Sequence, residues 1–269
     1  MFEEPYRWVE AIGNRRQYLD EQFQQGSPVV ALSYADGILL LTVSRGTPKL
    51  YEIYDRIGLG GMGHPADLEK LRFNLLEMAH VEGFNRSPSD VTGSRMVKYG
   101  LAPVIKQAFE EVYKAPFIVK ILLAELGTKP ERDGFLTINY DGTFEEAKGC
   151  AAIASTPAIQ SAIVGSLRQN PGLASATFGP AVEAALRAWA LGSLAQSKGT
   201  EDQDDPKDSP GGSSTTSPDA RAIEDHLRET LAEKTIECAI MERSAPGSSK
   251  YRALKPDELK RLLPKFLII

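Results

Sequence analysis

Cysteine and histidine are scarce in this chain: two of the first, Cys150 and Cys238, and three of the second, His64, His80 and His226. Two cysteines cannot build a disulfide framework, and three histidines with no ligand spacing argue against structural zinc. Both cysteines lie in apolar runs and are expected in the core. No apolar run approaches the roughly 20 residues that span a bilayer. The opening Met1–Glu10 has neither the basic nor the apolar region of a secretory signal. A cytoplasmic protein is therefore expected, with no cofactor and no metal. There is no basic excess either: 31 Lys and Arg stand against 36 Asp and Glu, a formal charge of −5. That balance argues against nucleic acid and against an anionic membrane as the main partner.

What is present is ordinary globular composition, 42% hydrophobic and 25% charged over 269 residues, enough for a substantial core. The exception is residues 197–220, with six acids, two lysines and Ala220 as the sole apolar residue. Such a segment buries too little to offset its ordering entropy, so a disordered acidic insertion is expected there.

Elsewhere the periodicity switches in blocks. Pro5, Trp8, Val9, Ile12, Leu19 and Phe23 give a helical stripe, expected to break at Gly13-Asn14 and to stop at Gly26. Two β-rich runs, 29–34 and 38–44, flank the turn Ala35-Asp36-Gly37, and a second pair covers 49–56 and 57–63. From Pro65, Leu68, Leu71, Leu75 and Met78 predict a helix with proline in its first turn. Another is expected after an Asp90 or Thr92 cap, carrying Met96, Tyr99, Val104, Phe109 and Val112. Strands follow at 117–126, 134–141 and 150–155, then helices at about 157–169 and 177–195. After the insertion come a short helix, strands at 235–243 and 251–254, and a closing helix at 256–263. Tight turns between strands imply antiparallel sheets. Two sheets face to face, with helix pairs outside, would bury every stripe.

Gly58-Leu59-Gly60-Gly61-Met62-Gly63 spells GxGxxG between a strand and a helix, with Glu82 19 residues further on, where a ribose-binding acid would stand. The stretch that follows the helix, 81–93, is polar and leads into another helix, so the parallel strand of a βαβ unit is missing. No Gly-Lys-Ser/Thr follows for a P-loop. These glycines are expected to allow close backbone approach at a strand end.

Taken in order, GSPVVALSYADGILLL (26–41), PKLYEIYDRIGLGGMGHPADLEKLR (48–72), SDVTG (89–93), FIVKILLAELG (117–127) and LTINYDGTFEEAKGCAAIAS (136–155) resemble the α subunits of bacterial 20S proteasomes. The similarity runs from about residue 8 to 265, with the acidic insertion as the main departure. It implies a four-layer αββα sandwich of the α+β class. Residues 1–25 would form a gating segment and helix, and 26–269 the sandwich domain.

Family members divide into a proteolytic β type and a non-proteolytic α type. In the β type a Thr freed at a Gly-Thr bond acts through its own amine, with a Lys and an Asp nearby. On that pattern Ser27, after Gly26, stands at the nucleophile position and Lys49 at the lysine position. Against a Ser27 hydrolase, Pro28 restricts the backbone behind the would-be cleavage site. Val43 occupies the place of the acid, and the preceding 26 residues look like the helix that α subunits keep.

The α type implies a heptameric ring stacked on rings of β subunits, with neighbouring α subunits alongside. Met1, Phe2, Glu3, Glu4, Pro5, Tyr6, Arg7 and Trp8 would contribute to the gate through which unfolded protein passes. Lys49 matches the lysine of the pocket, between neighbouring α subunits, that receives the C-terminal tails of an ATPase ring activator, and Gly26 and Gly63 match glycines lining it. A compact ammonium suits a chain-terminal carboxylate. A self-assembling ring without a protease partner is the third alternative. Trp8 and Trp189 are expected as packing anchors, and the terminal KFLII as packed on the body.

Overall fold

The computed structural model describes residues 5–170, 172–201, 220–264 and Leu267. The chain opens with α1 (Pro5–Phe23), followed by two hairpins, β1 (Val29–Tyr34) with β2 (Gly37–Ser44) and β3 (Leu50–Tyr54) with β4 (Ile57–Gly63). Helix α2 (Pro65–Asn85) leads through a short turn to α3 (Gly93–Arg95), a π-helical turn at Met96–Leu101 and α4 (Ala102–Glu110). Strands β5 (Val119–Glu125), β6 (Gly134–Ile138), β7 (Phe144–Ala147) and β8 (Cys150–Ile153) precede α5 (Pro157–Arg168) and α6 (Phe178–Glu201). The chain closes with α7 (Ala220–Glu233), β9 (Thr235–Glu242), β10 (Tyr251–Ala253) and α8 (Pro256–Lys260).

The strands form two antiparallel sheets, ordered β10-β9-β2-β1-β8 and β3-β4-β5-β6-β7. Alternation along β2 shows how they stack. Leu39, Leu41 and Val43 face α5, α6 and α7, whereas Ile38 and Leu40 face the second sheet in a core shared with Leu122 and Ala124. Side chains two apart on a strand share a face, so one strand serves two cores. The outer face of the second sheet packs Leu59, Ile121 and Leu123 against Leu68, Leu71, Leu75 and Ile105 of α2 and α4. The result is the expected four-layer αββα sandwich. Both cysteines are free and buried within it. Strand β4 pairs antiparallel with both β3 and β5, so the GxGxxG glycines occupy a central antiparallel strand and no βαβ unit.

Several elements differ from expectation. Helix α1 runs unbroken through Gly13-Asn14, because Gly13 faces open space and its cost of about 1 kcal/mol is offset by anchors on either side. It stops at Phe23 rather than Gly26. Trp8 is half exposed and is no packing anchor within this chain, whereas Trp189 is fully buried. The helix expected to carry Tyr99 and Val112 contains a π turn and ends at Glu110, which leaves Tyr99 exposed and Val112 beyond the helix. An extra residue per turn rotates the stripe, which a 3.6-residue period does not anticipate. Strand β7 has no apolar alternation because it is an exposed edge. Helix α6 continues to Glu201 and α7 opens at Ala220, so residues 197–201 and 220 belong to helices and the remaining insertion, 202–219, lies outside the described residues. Of the terminal KFLII, Leu267 packs against the helix-side core as expected; the other four residues lie outside the described ones.

Candidate functional site

Helix α1 lies across the open edge of the sandwich and ends where the site begins. Leu19 and Phe23 are buried in the intersheet core, and the Tyr140 hydroxyl donates to Asp20 Oδ1 at 2.8 Å. The Arg15 guanidinium donates to the carbonyls of Ala108, Phe109, Glu111, Val112 and Lys114 at 2.7–3.2 Å. It thereby satisfies carbonyls at the end of α4 that have no helical partner and places a cation at the negative end of the helix dipole.

After Phe23 the chain turns sharply, with Gly26 N–H donating to Phe23 O at 2.9 Å. A side chain at Gly26 would place its Cβ 2.9 Å from the Met62 side chain and 3.1 Å from Phe23 O. Gly63, ending β4, has φ +128, and a Cβ there would stand 2.0 Å from Ile118 O; only glycine fits this left-handed, crowded position. The Gln196 amide of α6 donates to Gly26 O at 2.9 Å and also to Gln24 O. These constraints hold the backbone around a cavity of about 480 Å³, in whose wall Gly26, Lys49 and Gly63 all stand.

Lys49 stands one residue before β3. The Glu237 carboxylate on β9 accepts from the backbone N–H groups of Lys49, at 3.0 Å, and Leu50, at 2.8 Å. Glu237 thus fixes the lysine's main chain, leaving the ammonium without a hydrogen bond or ion pair to any described residue. Burial is the largest influence on Lys49 and pulls its pKa below the usual lysine value; Glu237 opposes this and Lys234 adds to it. Burial likewise lifts Glu237 above the usual carboxylate value, against the two backbone donors and Lys49.

Ser27 also borders the cavity, but inside the chain. Its Oγ accepts from Trp189 Nε1 at 3.1 Å and lies 3.4 Å from Thr42 Oγ1. The next residue is held equally firmly, since Trp189 Nε1 and Thr42 Oγ1 both donate to Pro28 O. Val43 is fully buried and supplies no acid. An α-amine at position 27 would require removal of α1, with two core side chains and the Arg15 contacts.

Of the residues expected at the gate, Met1, Phe2, Glu3 and Glu4 lie outside those described. Pro5, Tyr6, Arg7 and Trp8 belong to α1 rather than to a segment ahead of it, and Arg7 and Trp8 are exposed and do not line the cavity. The sequence missed Arg45, which follows β2, and Lys234, between α7 and β9; both line the cavity. Neither sits in a local pattern that would single it out. Among the described residues, no cluster of histidine, cysteine or acids could hold a metal, and no helix is long and apolar enough to cross a membrane.

A family model described as "Proteasome subunit" matches residues 23–177. Similar proteins named "Proteasome subunit alpha" occur in Actinosynnema mirum, 28% identical over 94% of this chain and 84% of that protein, and in Streptomyces coelicolor, 27% identical over 94% and 87%. A third, from Salinispora tropica, is 33% identical over 67% of each.

Proposed function

The chain belongs to the proteasome subunit family, and on that premise we propose that it is a non-catalytic α subunit of a bacterial 20S proteasome. In this role it forms a seven-membered outer ring with neighbouring copies, stacks on β subunits, controls the admission of unfolded protein and docks an ATPase ring activator in the cytoplasm. The observation that carries the docking role is the unpaired Lys49 ammonium in a cavity shaped by Gly26 and Gly63. Its physical logic is direct. A lysine held by its backbone, partly desolvated and with its ammonium making no hydrogen bond or ion pair to a described residue gains most from an incoming carboxylate, because charge-assisted hydrogen bonds strengthen as water is excluded. A chain-terminal carboxylate is such a ligand and needs only one extended end of a peptide to enter.

Support for the non-catalytic assignment comes from the burial of Leu19 and Phe23, from Val43 in place of an acid, and from the occupied Ser27 hydroxyl. The gating role rests on α1, whose first described residues with placed side chains, Arg7 and Trp8, are exposed; removing residues 1–10 should raise unassisted peptide hydrolysis by the assembled particle.

The decisive test is Lys49→Ala in particles assembled with a β subunit. Electron microscopy should show normal stacking, while ATPase-stimulated protein degradation falls to the unstimulated rate. Stimulation equal to wild type would overturn the docking assignment. Co-purification with a Thr-initiated β subunit separates this role from a self-assembling ring that has no protease partner.

A further inference from the structure

The cavity carries more positive charge than one carboxylate needs. Arg45, Lys49 and Lys234 line it, and among the described residues no aspartate or glutamate does, in a chain whose acids outnumber its bases by 36 to 31. None of the three cationic side chains has a hydrogen bond or ion pair to any described residue. Glu237, which does not line the cavity, accepts from backbone N–H groups and also draws Lys49 towards its charged form. Lys234 disfavours the protonated form of Lys49 and Glu237 favours it, so Lys49 has an acid behind it whereas Arg45 and Lys234 have none among the described residues that line the cavity. A ligand with a single negative charge pairs with one of the three cations and leaves two in the cavity wall.

Resting on the docking role above, we infer that the tail received here carries a side-chain carboxylate within a few residues of its terminus, and that Arg45 and Lys234 are specificity-determining residues that recognise it. The division of labour follows from the side chains. Lys49 is a half-buried point charge suited to a terminal carboxylate that can approach from one direction. Arg45 is exposed on the bend after β2, and its planar fork takes a side-chain carboxylate through two parallel hydrogen bonds. Lys234 is half-buried at the α7–β9 junction and adds charge without fixed geometry. The apolar part of the wall, Val43, Leu68, Trp189 and the prolines at 28, 48 and 65, accommodates the uncharged residues of the same tail.

The test uses the full chain in its assembled form and three fluorescein-labelled octapeptides ending in two leucines. One has glutamate third from a free carboxyl terminus, one has glutamine there, and one has glutamate with an amidated terminus. Anisotropy should show the glutamate peptide binding roughly 3- to 10-fold more tightly than the glutamine peptide, the range for one or two partly screened ion pairs. In the Arg45→Gln/Lys234→Gln double variant that preference should vanish, the glutamate peptide losing more affinity than the glutamine peptide. Circular dichroism of the variant establishes that it is folded, and Arg45→Lys should recover part of the preference. Equal binding of the glutamate and glutamine peptides by wild type, with binding still lost on amidation and in Lys49→Ala, would overturn this inference and leave the docking role standing. Failure of all three peptides to bind wild type would overturn both.

Discussion

A lysine between two sheets must be compensated or discharged, and Lys120 is partly both. It is 6% exposed and donates to the carbonyls of Ala154 at 3.0 Å and Ser155 at 2.8 Å, with its ammonium 4.8 Å from the Phe23 ring centroid and 5.8 Å from that of Tyr140. Burial dominates and lowers its pKa to about 8, against the opposing pull of Asp20 and Asp141. The sign of the linkage follows. Between pH of about 8 and 10.5 the unfolded chain holds a proton that the folded chain has released, so this group makes the fold more stable as pH rises through that window. Below pH 8 the cost of burying the cation is fully present, on the order of 3 kcal/mol. In Lys120→Met this contribution should disappear. The difference between wild-type and variant stabilities, from urea unfolding at several pH values, should move in favour of wild type by up to that amount from pH 8 to 10.5. A difference that stays constant with pH would show that Lys120 is not the titrating group.

At the scale of elements, α1 is the part whose position decides whether position 27 is an interior residue or a chain end. Its mean residue is polar, and its hold on the body is concentrated in Leu19, Phe23, Asp20 and Arg15. Arg15 makes five hydrogen bonds across more than ninety residues of sequence. Arg15→Ala should therefore destabilise by about 2 kcal/mol, the scale of losing a charged donor from partly buried carbonyls. In a chain of this length that corresponds to a melting temperature lower by roughly 4–8 °C. Limited proteolysis should then cleave first near residues 24–28, where the chain leaves the helix. The stripe of α1 could be read in the sequence, but its continuity through Gly13 could not, since Arg15's acceptors come from a distant helix end. The π turn and the edge strand β7 were hidden for related reasons: one breaks the helical period and the other has no buried face to create an alternation.

For the molecule as a whole, the proposed non-catalytic role requires that α1 stay attached and keep position 27 inside the chain. Intact-mass measurement of the purified particle should find the chain with α1 present, and no species beginning at Ser27. A species that begins there and hydrolyses peptides unaided would reverse the assignment of a non-catalytic role. The proposed docking at the cation-lined cavity predicts binding that weakens as ionic strength rises, because the Debye length falls from about 10 Å at 0.1 M to about 3 Å at 1 M; release of an ATPase ring by salt, followed by light scattering, checks this.

The amino-acid sequence alone determined the order of strands and helices apart from the edge strand β7 and the π turn, the antiparallel pairing and the layer count, because hydrophobic period and turn chemistry are local properties that each segment carries with it. It also placed Gly26, Lys49 and Gly63 together through resemblance to a family. Only the tertiary structure decided that Arg45 and Lys234 join Lys49, that Glu237 holds the backbone of Lys49 and Leu50, and that Trp189 and Thr42 enclose Ser27. These groups come from segments up to about 190 residues apart, and the charge left uncompensated in a cavity depends on which distant partners reach it, a quantity that no stretch of chain encodes by itself.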